Sequence, residues 1–338
     1  MTAHAAVQPE QSSETFKGTP VSSMPSFVAG EELANLAGTD SRIVALTADL
    51  AGPNRFSEFA ARYPQRFFNV GIAEKNMISV AAGLATVGYI PFAATFAAFA
   101  VLLGCEQIRT DCAYPGLPVR LIGHHAGMAL GYYGTSHHAL EDLGICRSIA
   151  GLTTVCPTDA NLLRAVLRAS LDYPGPVYIR IGRGRDPEVY PSVPDDFQFG
   201  RARRLAEGAD LAIIATGSEV AASVRAAKAL GGEGIGVRVV DMCTVQPLDR
   251  EEVLQAAADT GHILTVEEHN VTGGLGTAVA EVLADAAVCA RLARHGVPDE
   301  YAEIGPPRAL YAHYGLDAAG IAVAARVLLG VAASNGAR

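Results

Sequence analysis

Short apolar runs alternate with longer stretches of helical period along almost the whole chain, and this alternation limits the fold more than any other feature. Runs such as 90–94 and 177–181 are apolar at consecutive positions, so both faces of each strand need burial. Strands of that kind, separated by helices, build a parallel sheet covered on both sides. In the first part of the chain, strands are expected at 42–47, 67–69, 90–94, 119–124, 153–156 and 177–181. Helices are expected at 29–36, 57–63, 73–87, 96–113, 140–149 and 159–171. The alternation stops at 184–196, a stretch with three prolines and no period, which reads as a linker. It restarts with strands at 211–215, 236–241, 263–267 and 301–304 and helices at 219–230, 250–260, 275–286 and 319–329. The expectation is therefore two α/β domains. A mainly parallel six-stranded sheet flanked by helices occupies 24–183, and a smaller α/β domain occupies 201–334. Residues 184–200 join the two, and 1–23 form a flexible polar tail. A length of 338 residues suits two domains.

Composition narrows the function classes. Half the residues are hydrophobic and 18% are charged, enough for large cores and against disorder. A net charge of -9 leaves no basic footprint for nucleic acid. No apolar run reaches the ~20 residues that span a bilayer, and the first residues lack the apolar centre of a secretion signal, so a cytoplasmic location is expected. The six cysteines include no CxxC pair and fall mostly in apolar segments, which reads as buried, reduced thiols. No GxxxxGK[ST], GxSxG or HExxH is present, and no GxGxxG opens a helix after the first strand.

Chemistry-bearing residues gather where the expected strands end, the edge at which open α/β sheets place ligands. Glu74, in Gly71-Ile72-Ala73-Glu74-Lys75-Asn76-Met77, stands where a short strand becomes a long helix. It is either a proton-sharing partner for a ligand ring nitrogen or a first-turn acid that complements the helix dipole. Phe96 and Phe99, expected on one helix face, form either a stacking platform or ordinary core. The loop 124–138 holds four of the nine histidines and several glycines, and a long ordered loop of this kind is commonly functional. A metal site made from these histidines with Glu141 or Asp142 matches no common ligand spacing. Arg180 suits either an anionic substrate group or an ion pair at the domain junction. Ser218, in Ala215-Thr216-Gly217-Ser218-Glu219, reads as a helix cap or as part of an anion-binding turn.

Together these segments resemble the pyrimidine-binding and C-terminal domains of transketolase, over roughly residues 24–332. Gly71-Ile72-Ala73-Glu74 with Met77 is similar to the family's glutamate signature, and Thr95-Phe96 with Phe99 to its aromatic platform. Ser136-His137-His138-Ala139-Leu140-Glu141-Asp142-Leu143, Ala215-Thr216-Gly217-Ser218-Glu219-Val220 and Glu267-Glu268-His269 with Gly273-Gly274-Leu275-Gly276 extend the match. The resemblance implies thiamine diphosphate as cofactor and transfer of a two-carbon ketol unit from a ketose to an aldehyde. It implies that Glu74 hydrogen-bonds N1′ of the aminopyrimidine, that Phe99 stacks on that ring beside Phe96, and that Asp49 and Leu50 line the cofactor pocket. His125 and His137 would contact substrate hydroxyls and move protons, and Arg180 would bind a substrate phosphate.

The family's Gly-Asp-Gly motif for the diphosphate and Mg²⁺ is missing, and the length is about half that of a single-chain member. The resemblance therefore implies one half of a split enzyme, with the Mg²⁺ ligands on an N-terminal partner subunit and a heterotetramer if each half occurs twice. The sequence also departs from the family at Met24-Pro25-Ser26-Phe27, which lacks a phosphate-binding arginine, and at Ala51-Gly52-Pro53, which lacks a small hydroxyl residue. Tyr133 stands where the substrate loop commonly carries an acid. A modified sugar is then expected in place of pentose phosphates. The competing readings are a 2-oxoacid-using thiamine enzyme subunit and a non-catalytic partner subunit that kept the fold.

Overall fold

A computed structural model describes residues 25–53, 55–183 and 187–331, so the expected tail lies outside the described residues. The first unit runs α1 (Pro25–Leu36), β1 (Ile43–Thr47), α2 (Phe56–Arg62), β2 (Phe67–Asn69), α3 (Glu74–Thr86), β3 (Ile90–Phe96), α4 (Cys105–Gln107), β4 (Arg120–His124), α5 (Asp142–Ser148), β5 (Thr153–Val155), α6 (Ala160–Ser170) and β6 (Val177–Arg180). The second runs β7 (Arg203–Ala206), β8 (Leu211–Ala215), α7 (Glu219–Gly231), β9 (Val237–Asp241), β10 (Thr244–Gln246), α8 (Arg250–Thr260), β11 (His262–Asn270), α9 (Leu275–Asp285), β12 (Arg291–Val297), α10 (Pro307–His313) and α11 (Ala318–Leu329).

Period-two alternation explains why the first sheet is covered on both faces. All five residues of β1 are buried. Ile43 and Ala45 enter a core shared with Leu33, Phe56 and Leu163, while Val44 and Leu46 enter a second core with Met77, Ile78 and Val101. β6 divides in the same way, with Ile179 in the first core and Tyr178 in the second. Arg120, fully buried on β4, donates to the carbonyls of Ser170 (2.8 Å), Tyr173 (2.6 Å) and Gly175 (2.5 Å). It thereby ties off the carbonyl end of α6, where a cation is favoured. Burial lowers its pKa to about 10, so the guanidinium stays charged.

The first sheet has seven strands, in the order β10-β5-β6-β4-β3-β1-β2, and not six. The extra strand comes from the second unit: β10 pairs antiparallel with β5. The other sheet is β12-β11-β8-β9-β7, parallel except for β7. The two units therefore share hydrogen-bonded backbone as well as side-chain contacts.

Several expectations change in detail. Residues 301–304 are not a strand, and Tyr301 and Ile304 are exposed; the edge strand is β12, whose mixed, half-exposed sequence lacks an apolar signal. The expected helix 96–113 is interrupted at Gly104, with wider π-type turns over 99–103 and 108–113 on either side of α4. Its first residue, Phe96, belongs instead to the end of β3. Cys289 is exposed and Cys105 half-buried, while Cys112, Cys146, Cys156 and Cys243 are buried free thiols. The linker is anchored where it is described: Asp159 accepts from the backbone of Val189 and Tyr190 (2.8 Å each), and the Tyr190 hydroxyl donates to Asp241 (2.7 Å).

Asp241 gives this junction a pH signature. Thr158 and Tyr190 hydroxyls both donate to its Oδ2, but complete burial outweighs them and raises its pKa from 3.8 to about 6. The folded state then binds a proton that the unfolded state has already lost, so stability falls as pH rises from about 4 to about 6. A rise of that size corresponds to about 3 kcal/mol. Asp241→Asn should match the wild type near pH 4 and exceed it in urea midpoint near pH 7.5. Parallel pH profiles for the two proteins would refute this assignment.

Candidate active site

The parallel order β6-β4-β3-β1-β2 puts five strand ends side by side, and each carries chemistry. Along this edge stand Arg180 and Arg183, His124 and His125, Phe96 and Phe99, Asp49 and Leu50, and finally Asn69 with Glu74. At ~4.8 Å per strand the row is about 20 Å long.

Glu74 is the first residue of α3 and is 7% exposed. The chain turns into this helix through Gly71, whose φ of 74° suits glycine. Among the described residues no hydrogen bond or ion pair engages the Glu74 carboxylate. A carboxylate this little exposed, with no partner among the described residues, suits a ligand that presents a hydrogen-bond donor. Beside it, Asp49 and Asn69 are locked reciprocally: Asn69 Nδ2 donates to Asp49 Oδ1 (3.1 Å), and Asp49 N–H donates to Asn69 Oδ1 (3.1 Å). Asn69 Oδ1 also accepts from Gly71 N–H (3.0 Å), which links the ends of β1 and β2 to the approach to Glu74. The pairing holds Asp49 at a left-handed φ of 60°. Leu50 follows, its N–H donating to Thr47 Oγ1 (3.2 Å).

Phe96 and Phe99 do not share a helix face. Phe96 closes β3 and Phe99 lies in the first turn of the following helix, yet their centroids are 5.6 Å apart. The turn at 97–98 does what helical spacing was expected to do. Phe96 meets His125 edge-on at 5.1 Å, and Phe99 meets His137 at 5.1 Å. Tyr133, 61% exposed, packs on His137 with centroids at 4.8 Å. The loop thus folds back, and five expected site residues (Phe96, Phe99, His125, His137 and Tyr133) form one aromatic cluster.

His125 adopts a left-handed φ of 55°, and its Nδ1 lies 2.7 Å from Nδ1 of His124, so one imidazole donates to the other. Burial drives the His124 pKa down to about 3. Burial, then His124 and Arg183, hold His125 well below the ordinary imidazole range. Desolvation also lowers His137, whose Nδ1 pairs with Ser136 Oγ at 2.8 Å. All three rings are therefore neutral at physiological pH, able to donate from one nitrogen and accept at the other.

Arg180 faces inward. It is 6% exposed and donates to Asp142 Oδ2 (2.8 Å) and to the carbonyls of Ala139 and Glu268 (2.9 Å each). Desolvation opposes its charge, but Asp142 prevails and keeps the guanidinium protonated. Of the two readings offered by the sequence, the geometry favours the ion pair at the junction. Arg183 was passed over at the sequence level. It stands beyond the end of β6, half-buried, and its charge reaches His125. Counting residues past the strand end separates the two arginines, because a strand residue is committed to a sheet face while the next loop residues lie over the edge. Arg180→Met strands Asp142 in the core and should cost about 3–5 kcal/mol in urea unfolding. A loss below about 1 kcal/mol would place the pair among weak surface bridges instead.

Ser218 does not cap α7; its hydroxyl donates to Glu268 Oε2 at 2.9 Å. Asn69 and Arg183, at this same edge, and Glu268, which meets Ser218, were not singled out at the sequence level, whereas His124 lay in the loop that was. Only the position of Arg183 carried a readable signal.

The transketolase pyrimidine-binding domain matches residues 26–187, and the transketolase C-terminal domain matches residues 200–321. The chain belongs to the transketolase family. It is 42% identical to a putative transketolase C-terminal section from Methanocaldococcus jannaschii, over 87% of this chain and 92% of that one. It is 41% identical to one subunit of an apulose-4-phosphate transketolase from Phocaeicola vulgatus, over 86% and 93%. A subunit of a 6-deoxy-6-sulfo-D-fructose transketolase from a Clostridium species is 43% identical over 87% and 90%. Among solved structures, a split-gene transketolase described as an inactive beta4 tetramer superposes with a TM-score of 0.84 at 42% identity, covering 91% of this chain and 99% of that chain. Transketolase from Leishmania mexicana shares the fold at a TM-score of 0.78 and 22% identity, and this chain covers 46% of it.

Proposed function

We infer that this chain is the C-terminal subunit of a two-chain transketolase that uses thiamine diphosphate and transfers a two-carbon ketol unit from a ketose to an aldehyde. The observation that carries this reading is the Glu74 carboxylate, little exposed and without a partner among the described residues, in one row with the Phe96–Phe99 pair and three neutral imidazoles. These residues fit the cofactor's aminopyrimidine: a carboxylate for N1′ and an aromatic face for the ring. When bound, thiamine diphosphate supplies the electron sink for carbon–carbon bond cleavage.

Glu74 holds the proton at N1′, and Phe99, with Phe96 beside it, fixes the ring plane. Asp49 and Leu50 line the same pocket, the first held by Asn69. His125 and His137 bind sugar hydroxyls and pass protons between them and the reacting oxygen, which suits imidazoles kept neutral by burial. Arg183, rather than Arg180, receives an anionic group at the far end of the sugar, with Tyr133 at the rim. The partner subunit supplies the diphosphate and Mg²⁺ ligands, because the Gly-Asp-Gly motif is absent from this sequence. The assembly is a heterotetramer, and its location is the cytosol, in keeping with buried free thiols.

Purified chain, N-terminal partner, thiamine diphosphate and Mg²⁺ should together convert a ketose donor and an aldehyde acceptor in a product screen. Release of carbon dioxide from pyruvate, with no ketol transfer, would favour the 2-oxoacid reading. Within that assay Arg183→Ala should raise KM for an anionic donor about tenfold or more, as loss of one charged hydrogen bond does, and leave a neutral donor unchanged. Equal effects on both donors would remove Arg183 from the substrate site.

A further inference from the structure

We propose that Glu268 is a positioning residue through which the C-terminal domain sets the shape of the histidine loop. The proposal rests on the transketolase reading and goes beyond it by giving the second domain a defined task at the site.

Strand alternation sends the three residues Glu267-Glu268-His269 to different places. Glu267 accepts from the N–H groups of Leu275 (2.6 Å) and Gly276 (2.8 Å) at the start of α9. His269 Nε2 accepts from Gly144 N–H (3.3 Å) in α5. Glu268, 2% exposed, meets neither of those elements and reaches the first domain at Met128. Its Oε1 accepts from Met128 N–H (2.6 Å) and from the Tyr311 hydroxyl of α10, and its Oε2 accepts from Ser218 Oγ (2.9 Å). Its own carbonyl accepts from Arg180 (2.9 Å).

The loop is shaped to receive this carboxylate. Gly127 has a φ of 62°, and a Cβ there would lie 2.1 Å from Glu268 Cδ, so only glycine admits the side chain. On either side, Ala126 N–H donates to Ile181 carbonyl (3.1 Å), and Gly127 and Ala139 exchange two backbone bonds (3.0 and 3.1 Å). Met128 is three residues from His125, whose left-handed backbone needs support from its surroundings. The Gly127–Ala139 bridge then carries the same constraint to His137, two residues earlier. A charged acceptor in a dry site is a strong anchor for a backbone N–H.

The test uses the assembled complex and three variants. Glu268→Ala removes the acceptor; Glu268→Asp keeps the charge but retracts it by one methylene; Glu268→Gln keeps the reach and one acceptor oxygen. In Ala and Asp, amides over 126–139 should exchange with deuterium about tenfold faster while β4, β6 and β11 keep the wild-type rates. Donor KM should rise about tenfold with thiamine diphosphate affinity unchanged. Gln should restore most of both. If Ala does not fold, Asp decides the matter. Unchanged loop exchange in Asp would overturn the proposal. So would faster exchange with wild-type KM, or a uniform loss of kcat, cofactor binding and folded fraction. A wild-type complex without ketol transfer would defeat the transketolase reading, and the exchange data would still decide whether Glu268 holds the loop.

Discussion

Replacing Glu74 by alanine is expected to lower kcat of the assembled complex by about a thousandfold or more, at the strong end of what loss of a positioned proton-transfer group costs. The expectation follows from placement. The carboxylate opens α3, belongs to a residue only 7% exposed, and has no partner among the described residues, so none of them takes over its hydrogen bond. Two further observations make the experiment clean. Met77 and Ile78, one turn along α3, are fully packed in the second core, so the helix has its own anchorage and does not depend on Glu74 to fold. Phe96 and Phe99 are positioned by β3 and the helix after it, so the ring platform survives the substitution. Glu74→Ala should therefore retain assembly and most of the thermal midpoint while losing turnover. Glu74→Gln, which keeps shape and loses the ionisable proton, should be nearly as inactive. A Gln variant within tenfold of wild type would reduce Glu74 to a shape-filling group, and an unchanged Ala variant would support the non-catalytic reading.

Strands buried on both faces and long helices were legible because their signal is local. β8 and α8 fall where apolar runs and period place them, and the first sheet needed only its foreign strand β10 to be complete. What escaped was decided by tertiary contact. β10 has three residues and pairs with a strand from the other unit, a partnership no window of sequence contains. β12 mixes two arginines and a histidine with small and apolar residues, mostly half-exposed on a sheet edge, so it lacks the apolar pattern by which strands are recognised. At the site, residue types were legible and their orientation was not. By sequence Arg180 suited an anion ligand or an ion pair equally, and its burial against Asp142 favours the pair. The same holds for Ser218, which reads as a cap and instead serves Glu268, fifty residues away in sequence and adjacent in space.

The largest effect concerns the other chain. From this subunit alone a bound cofactor gains a carboxylate hydrogen bond, about 1.5–3 kcal/mol, and an aromatic contact, about 0.5–1.5 kcal/mol. Together they reach about 2–4.5 kcal/mol, around or below the roughly 4 kcal/mol that corresponds to millimolar affinity. The diphosphate is the strongly anionic end of the molecule, and this sequence offers it no Gly-Asp-Gly motif and a net charge of -9. Two or three charged contacts supplied by a partner, at about 1.5–3 kcal/mol each, add some two to six powers of ten. Calorimetric titration of the isolated chain with thiamine diphosphate and Mg²⁺ should thus show binding no tighter than about millimolar, and ketol transfer should be undetectable. Adding the N-terminal subunit should tighten the affinity at least about a hundredfold and switch activity on together with it. The chain contains no tryptophan, so calorimetry rather than tryptophan fluorescence is the direct readout on this side of the complex. Micromolar binding by the isolated chain would mean that it carries its own diphosphate site, and the split-enzyme reading would fall. Assembly with tight cofactor binding but no transfer would keep the split and point to a different donor.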